Sequence, residues 1–271
     1  MTLSLPPALK RLGQHFLVDQ NIARKIVSLA APRADETVLE IGPGRGILTT
    51  LLCETAGQVI AVEIDPKLHA YLKETLREYA NLDLRLGDAL EFPYESLPLR
   101  TVVVANLPYY VSTPLLFRLL DARDRIARMT LMLQAEVAER LVAQPGTKKY
   151  GVLSVLARYV ADMRPAFVVS PECFRPRPDV ASAVVGFVMK PAGPLDQAEE
   201  ARFTRLVRAA FTHRRKTLLN SLRDEGVPQE RIARALERCG IDPSRRAETL
   251  SLDEYVALAR ALDSRELGIR N

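Results

Sequence analysis

Three glycines and two carboxylates in the first hundred residues have the spacing of a binding site for a nucleoside-type ligand. Gly42, Gly44 and Gly46 lie between a strand pattern and a helical pattern. There the backbone can approach a ligand closely, and the first helical N–H groups can bind it. Glu63 ends the second strand pattern, where it could accept hydrogen bonds from ribose hydroxyls, and Asp88 ends the third, where it could meet an adenine amino group. A tight turn explains the glycines alone, but the ordered set favours a nucleoside site.

The tetrapeptide Asn106–Tyr109, Asn-Leu-Pro-Tyr, ends a fourth strand pattern and needs a separate explanation. A polar amide, a proline and an aromatic ring are poor choices for a strand end that only has to turn. Asn106 supplies a side-chain oxygen acceptor and Leu107 a backbone one, so together they can hold an amino group. Pro108 fixes the backbone that presents this carbonyl, and the Tyr109 ring can stack on a base. The tetrapeptide therefore predicts a site that orients a base amino group, and a capped strand end is the alternative.

Alternating strand and helix patterns must position these residues. The predicted strands are short apolar, β-branched runs at Thr37–Ile41, Gln58–Ile64, Leu82–Gly87, Thr101–Ala105 and Met129–Leu133. A helical pattern follows the second run, with Asp65 as its cap and Pro66 at its first position. The alternation predicts an α/β fold with a parallel, doubly wound sheet. Two later runs, at 166–170 and 181–190, predict a hairpin at the sheet edge.

A second zone follows the segment Lys190–Gln197, which has two prolines, one glycine and no apolar periodicity. We interpret this segment as a linker. Only helical patterns come after it, at 198–211, 215–224, 229–238 and 252–262. The sequence therefore predicts an α/β domain over residues 1–190 and a small all-helical C-terminal domain over residues 197–271.

Composition and cysteine usage restrict the class of protein. The 271 residues are 48% hydrophobic and 26% charged, as in an ordinary globular protein. No apolar run approaches the roughly 18–20 residues that span a bilayer, and no apolar stretch of a signal peptide is apparent. Cys53, Cys173 and Cys239 are scattered without metal-ligand spacing. We therefore expect a cytoplasmic protein with reduced thiols, no bound metal and no membrane partner.

Basic residues are concentrated in the C-terminal zone. Between Arg202 and Arg223 there are seven Lys and Arg residues and no Asp or Glu. The densest part contains Arg214, Arg215 and Lys216. A solvated helix face is the ordinary explanation of such a cluster, but the missing acidic residues favour contact with the phosphates of a nucleic acid.

The glycine loop with Glu63 and Asp88 resembles the S-adenosylmethionine site of Rossmann-like class I methyltransferases. An NAD enzyme also needs a glycine loop and a ribose acid, but it has no need of the tetrapeptide at the fourth strand end. That tetrapeptide resembles the (Asp/Asn)-Pro-Pro-(Tyr/Phe) motif of amino-group methyltransferases. The adenine N6 atom is a poor nucleophile because its lone pair is delocalised into the ring, so two acceptors that hold the amino group favour its attack. No general base is apparent, and none is needed because the alkylated amine can lose its proton to water.

Five segments in order along nearly the whole chain resemble the KsgA/RsmA family. They are Leu12–Gln20, Leu39–Thr49, Asn106–Leu116, Phe174–Val184 and Phe211–Leu222. These are the bacterial small-subunit rRNA adenine dimethyltransferases, with a Rossmann-like domain and a small helical C-terminal domain. The resemblance implies S-adenosylmethionine-dependent N6,N6-dimethylation of two adjacent adenosines in the hairpin loop near the 3′ end of 16S rRNA. It implies an immature 30S subunit as the substrate, and we expect the protein to act as a monomer.

The resemblance also assigns individual residues. The implied methyl-donor contacts are His15, Leu17, Gly42, Gly44, Glu63, Asp88 and Asn106. The implied catalytic set, which contacts the target base, is Asn106, Leu107, Pro108, Tyr109 and Phe174. The implied RNA contacts are Arg214, Arg215 and Lys216. His15 stands where other members often have Asn, so its contact could come from its backbone or from a different side-chain atom.

Three alternatives stay open at this point. Erm-type enzymes dimethylate a single large-subunit adenosine and share most of the donor site, although the segment Arg214–Leu222 favours the KsgA/RsmA branch. A DNA adenine methyltransferase is more distant, since no inserted segment for reading DNA sequence is obvious. Some mitochondrial relatives act as transcription factors, so a non-catalytic nucleic-acid-binding protein is the third alternative. Methyl incorporation into small subunits that lack the dimethyl mark distinguishes them.

Overall fold

The computed structural model of the chain describes residues 5–190, 193–213 and 215–262. The strands are β1 (Phe16–Leu17), β2 (Thr37–Ile41), β3 (Gln58–Glu63), β4 (Leu82–Leu86), β5 (Thr101–Asn106), β6 (Ile126–Gln134), β7 (Ala161–Val169), β8 (Phe174–Arg175) and β9 (Ser182–Met189). The α-helices are α1 (Gln20–Ala30), α2 (Ile47–Cys53), α3 (Pro66–Thr75), α4 (Ser112–Asp121), α5 (Ala135–Val142), α6 (Val152–Val160), α7 (Gln197–Ala210), α8 (Leu218–Asp224), α9 (Gln229–Arg238) and α10 (Leu252–Ala261).

Seven strands form one sheet in the order β4-β3-β2-β5-β6-β9-β7. The five strands from β4 to β6 are parallel, and β9 runs antiparallel to both β6 and β7. The central strands read as continuous apolar runs because both faces are covered, and Val38 and Val103 are fully buried. The predicted α/β sheet and its edge hairpin are therefore confirmed.

The topology places a crevice beside β2. From β2 the chain proceeds to β3 and β4 on one side, and then returns to build β5 and β6 on the other. Helices therefore leave the carboxyl ends of β2 and β5 in different directions, and ligands of doubly wound sheets bind at such a switch point. The glycine loop follows β2 and Asn106 ends β5, so both predicted motifs lie at this crevice.

A separate two-stranded sheet joins distant parts of the chain. β1 pairs antiparallel with β8, with Phe16 opposite Arg175 and Leu17 opposite Phe174. This pairing brings the N-terminal segment 12–17 to the loop that precedes β9. The sequence patterns do not predict it, since a two-residue strand has no periodicity.

The chain divides into two compact units whose boundaries differ from those predicted. The first unit contains the chain up to Ala138 together with Ala161–Met189, and the second contains Glu139–Val160 together with the chain from Lys190 onward. The break at residue 190 coincides with the expected linker, but residues 139–160 group with the C-terminal helices. Within the second unit, the buried Tyr150 donates a hydrogen bond to the Leu250 carbonyl at 3.0 Å.

The second unit is helical in its described part, as predicted. Helices α7 to α10 correspond to the four C-terminal helical patterns, and α7 buries an apolar stripe that includes Phe203, Leu206 and Val207. The ring of Tyr159 from α6 packs against Phe203 with centroids 4.6 Å apart. None of the described helices in either unit has the length and apolar character that crossing a bilayer requires.

Candidate functional site

A cavity at the carboxyl ends of β2, β3 and β5 brings the two predicted motifs together. Its empty space, which includes a part open to solvent, is about 520 Å³. Four stretches of the first unit line it. The lining residues are Leu12, Gly13, Gln14, His15, Phe16, Gly42, Gly44, Glu63, Ile64, Leu68, Asn106, Leu107, Pro108, Tyr109 and Tyr110.

The glycine loop forms one wall of this cavity and requires glycine for two reasons. Gly44 has φ +59°, and a Cβ atom there would lie 3.0 Å from the Phe16 ring. Gly46 has φ +84°, and a Cβ atom there would lie 2.9 Å from the Leu72 side chain. The left-handed conformation favours glycine at both positions, and a larger residue there would also have to displace the neighbouring side chain. Gly42 also lines the cavity, so its missing side chain leaves room for a ligand.

Glu63 ends β3 and is 3% exposed. Its Oε2 atom accepts a hydrogen bond from the Gly44 N–H at 3.1 Å, and its Oε1 atom accepts one from the Asp65 N–H at 2.9 Å. Burial raises the pKa of Glu63, while these two N–H groups act in the opposite direction. Each oxygen of a carboxylate has two acceptor sites. Glu63 is therefore held rigidly and can still accept hydrogen bonds from a ligand diol.

A second carboxyl group, Glu40, lies in β2 two positions before Gly42 and is 1% exposed. Burial, with the nearby charge of Glu63, raises its pKa to about 8. Its Oε2 atom has no hydrogen-bond partner among the described residues. Burial therefore favours the neutral form of Glu40.

Asp88 lies two residues beyond β4 and does not line the cavity. Its Oδ1 atom accepts a hydrogen bond from the Leu90 N–H at 2.8 Å, which orders the turn. Burial raises the pKa of Tyr110, and the charge of Asp88 raises it further. The charge of Asp88 therefore acts on Tyr110, a lining residue, and its predicted contact with an adenine amino group stays a prediction.

The N-terminal segment covers the glycine loop through polar and aromatic contacts. Arg45 of the loop donates a hydrogen bond to the Pro6 carbonyl at 3.1 Å, and its guanidinium lies 4.4 Å from the centroid of the Phe16 ring. Gln14 donates to the Asp65 carboxylate at 3.4 Å. These contacts explain why five consecutive residues, 12–16, line the cavity.

His15 connects this segment to both ends of the tetrapeptide. Its backbone carbonyl accepts a hydrogen bond from Asn106 Nδ2 at 3.2 Å. Its ring stacks on Tyr109, with centroids 5.3 Å apart and planes inclined by 29°. Its Nδ1 atom lies 2.8 Å from the Pro176 carbonyl, which can only accept, so Nδ1 carries the hydrogen. The sequence predicted that His15 contacts the methyl donor, and it did not reveal that His15 also connects the N-terminal segment to the tetrapeptide.

Asn106 and Leu107 present acceptors at the end of β5. Because Asn106 Nδ2 donates to His15, the Oδ1 atom is the acceptor that remains, and no other described residue bonds to it. The Leu107 N–H donates to the Met132 carbonyl of β6 at 3.1 Å. Pro108 accepts a hydrogen bond from the Val111 N–H at 3.2 Å, which fixes the following turn.

Tyr109 is held at its hydroxyl as well as at its ring. The hydroxyl lies 2.6 Å from Oγ of Ser182, a fully buried residue at the start of β9. Burial raises the pKa of Tyr109. Ser182 lies within one of the segments on which the family resemblance rests, but the sequence gives no sign that it meets Tyr109.

Two predicted site residues belong to the core instead. Leu17 is 4% exposed and Phe174 is 0% exposed, and the two face each other in the β1–β8 pair. Both pack with Met132 and Val184, and neither lines the cavity. Both side chains lie in the core, and the predicted contacts of Leu17 with the methyl donor and of Phe174 with a base stay predictions. Phe16, which was not predicted, lines the cavity instead.

The predicted RNA contacts lie in the second unit. Arg214 is outside the described residues. Arg215 is exposed. Lys216 is also exposed but forms an ion pair with Asp224, which additionally lies 3.8 Å from His213. Their binding to RNA stays a prediction, and Arg215 is better placed for it than Lys216.

Comparisons with known proteins agree with this geometry. The chain matches the family described as ribosomal RNA adenine dimethylase over residues 8–264. It is 46% identical over 264 residues to a Geobacter sulfurreducens protein named ribosomal RNA small subunit methyltransferase A, covering 94% of this chain and 95% of the relative. A solved dimethyladenosine transferase from Plasmodium falciparum has a TM-score of 0.78 and 29% identity, covering 90% of this chain and 96% of that one. The solved 23S rRNA methyltransferase ErmE has a TM-score of 0.71 and 28% identity, covering 91% and 99%. The chain belongs to the ribosomal RNA adenine dimethylase family.

Proposed function

We propose that this protein dimethylates N6 of two adjacent adenosines in the 3′-terminal hairpin loop of 16S rRNA, with S-adenosylmethionine as the methyl donor. The observation that carries the proposal is the placement of Asn106 and Tyr109 beside a cavity that also contains Glu63 and the glycine loop. The small-subunit relative is far more similar in sequence than ErmE, at 46% against 28% identity. This difference favours a small-subunit substrate over a large-subunit one.

The cavity suits the proposed donor. Glu63 would accept hydrogen bonds from the ribose hydroxyls with the acceptor sites that Gly44 and Asp65 leave open. Gly42 would lie beside the methionine part, and Asp88, just beyond the end of β4, would meet the adenine amino group. When bound, the donor supplies a methyl group that its sulfonium makes strongly electrophilic.

Residues at the end of β5 would orient the target. Asn106 Oδ1 and the Leu107 carbonyl would accept hydrogen bonds from the N6 amino group and hold it in an attacking geometry. The Tyr109 ring would stack on the base after it has left its helix. The buried surroundings of Leu107, which is 1% exposed, exclude water from this strand end. We assign loss of the proton to water, because alkylation makes the amine acidic.

The substrate particle would be an immature 30S subunit, bound partly through the basic segment that includes Arg215. We place the protein in the cytoplasm because this substrate is assembled there, and we propose that it acts as a monomer.

Methyl incorporation tests the proposed function. The protein and labelled S-adenosylmethionine are incubated with small subunits that lack the dimethyl mark, and separately with large-subunit RNA. We expect label in the small subunit only. Label confined to large-subunit RNA would support an Erm-type activity, and binding to small subunits without label would support a non-catalytic role. Either result would overturn the proposal.

A further inference from the structure

The contact between Ser182 and Tyr109 is a short hydrogen bond between two hydroxyls. The oxygen atoms are 2.6 Å apart, at the short end of the O–H···O range. Ser182 is 0% exposed and begins β9, where it is in register with Gln134 of β6 and with Val169 of β7. Its position is therefore fixed by two neighbouring strands. Tyr109, in contrast, lies in the turn between β5 and α4.

A turn residue needs external contacts to keep one ring orientation. His15 covers one face of the Tyr109 ring, and Ser182 holds its polar tip. His15 is itself held through its Nδ1 atom by the Pro176 carbonyl. Contacts at the face and at the tip together fix the plane of the ring.

We propose that Ser182 is a positioning residue for methyl transfer, which acts by anchoring the Tyr109 hydroxyl so that the ring plane matches the target base. This inference rests on the proposed function. It assigns no contact between Ser182 and the substrate. It gives the Tyr109 hydroxyl an anchoring role and leaves stacking to the ring.

The strength of the hydrogen bond between Ser182 and Tyr109 sets the size of the expected loss in transfer rate. A neutral hydrogen bond that orients a reacting group predicts a loss of about three- to tenfold in transfer rate when it is removed. Ser182→Ala and Tyr109→Phe remove the same bond from its two ends. If each acts only through this bond, the double variant should lose no more than either single variant.

The test is a double-mutant cycle on the single-turnover rate of methyl transfer to unmethylated small subunits, at saturating donor and subunit. We expect Ser182→Ala and Tyr109→Phe each to be about three- to tenfold slower than wild type, and the double variant to agree with them within about twofold. Affinity for S-adenosylmethionine should change less than about twofold, since the bond holds the target side of the cavity.

Thr101→Val is the matched control. Thr101 is also fully buried, and its hydroxyl donates to the Pro98 carbonyl at 2.7 Å at the opposite end of β5. Loss of that hydroxyl should leave the transfer rate unchanged, so a general effect of deleting a buried hydroxyl is separated from positioning.

Several results would overturn the inference. Rate losses that multiply in the double variant would show that Ser182 acts independently of Tyr109. A wild-type rate in either single variant would show that the bond positions nothing, and Tyr109→Phe alone suffices for this result should Ser182→Ala not fold. A wild-type protein that transfers no methyl group would instead contradict the proposed function.

Discussion

Buried carboxylates occur at both ends of the parallel sheet, and they are satisfied in different ways. At the amino end, Glu36 is 8% exposed and receives two hydrogen bonds from Arg128, at 2.8 and 2.7 Å. Arg128 also donates to the Ala30 and Ala31 carbonyls, which end α1. At the carboxyl end, Glu63 receives hydrogen bonds only from backbone N–H groups among the described residues.

The pKa values of the two groups move in opposite directions. The hydrogen bonds from Arg128 lower the pKa of Glu36 to about 2. Burial raises the pKa of Glu63. A carboxylate matched by a guanidinium has little capacity left for a ligand, whereas a carboxyl group held by two N–H groups beside a cavity keeps open acceptor sites. The amino end of the sheet is therefore built for stability and the carboxyl end for binding.

The largest expected effect is that of Asn106→Ala on catalysis. Loss of the orienting acceptor should lower methyl transfer by on the order of a hundredfold, because small displacements of a reacting atom have effects of that size. The measurement is single-turnover transfer at saturating donor, with folding checked by circular dichroism.

Asn81→Ala is the matched control at the amino end. Asn81 donates hydrogen bonds to the Cys53 and Ala56 carbonyls. Its removal should lower stability and leave transfer unchanged. Near-normal transfer by Asn106→Ala would mean that the tetrapeptide is only a strand cap.

Glu63→Ala should weaken binding of S-adenosylmethionine by roughly 1.5–3 kcal/mol, since a charged acceptor for the ribose hydroxyls is lost. Glu36→Ala makes the same change at the other end of the sheet and should leave donor affinity unchanged while lowering the free energy of unfolding. Equilibrium titration of the folded variants measures both affinities. Equal affinities of the two variants for S-adenosylmethionine would contradict the different roles assigned to the amino and carboxyl ends of the sheet.

Stability in acid should depend on Glu36. Its pKa lies below the ordinary value of 4.5 in the folded protein, so the ion pair stabilises the fold above pH 4.5 and this stabilisation is lost as the pH falls toward 2. We expect a loss of about 2 kcal/mol after allowing for solvent screening at the partly exposed Arg128. Denaturant unfolding between pH 6 and pH 2 measures it. Glu36→Gln should flatten this dependence, and an unchanged slope would contradict the assignment.

The smallest expected effect concerns the second unit. Arg215→Ala should weaken binding to the immature small subunit severalfold and reduce the salt slope of the affinity by about one, because one fewer counterion is released. Arg77→Ala is the control, since Arg77 is an exposed arginine of the first unit that pairs with Glu74. Equal salt slopes for wild type and Arg215→Ala would leave Arg215 as a solvated surface residue.

Much of the fold could be predicted because its signals are local. The apolar runs of β2, β3 and β5 mark buried parallel strands, and Asp65 and Pro66 mark the start of α3, where Asp65 accepts a hydrogen bond from the Lys67 N–H. The common location of the glycine loop and Glu63 could be predicted from the order of the strand patterns alone, since the carboxyl ends of parallel strands share one edge of the sheet.

The contacts that complete the site could not be predicted because they join distant residues. Ser182 meets Tyr109 across 73 positions, and His15 meets Asn106 across 91. The pairing of β1 with β8 rests on two residues in each strand. Burial is equally hard to predict from a motif. A motif match gives the residue type of Phe174 and does not reveal that its side chain is fully buried.

The proposed function is tested most directly by nucleoside analysis of small-subunit RNA by mass spectrometry after reaction with wild type and with Asn106→Ala. We expect N6,N6-dimethyladenosine at two adjacent positions of the 3′-terminal hairpin loop with wild type, and little or none with Asn106→Ala. Dimethyladenosine at equal levels with both proteins, or its formation only in large-subunit RNA, would contradict the proposed function.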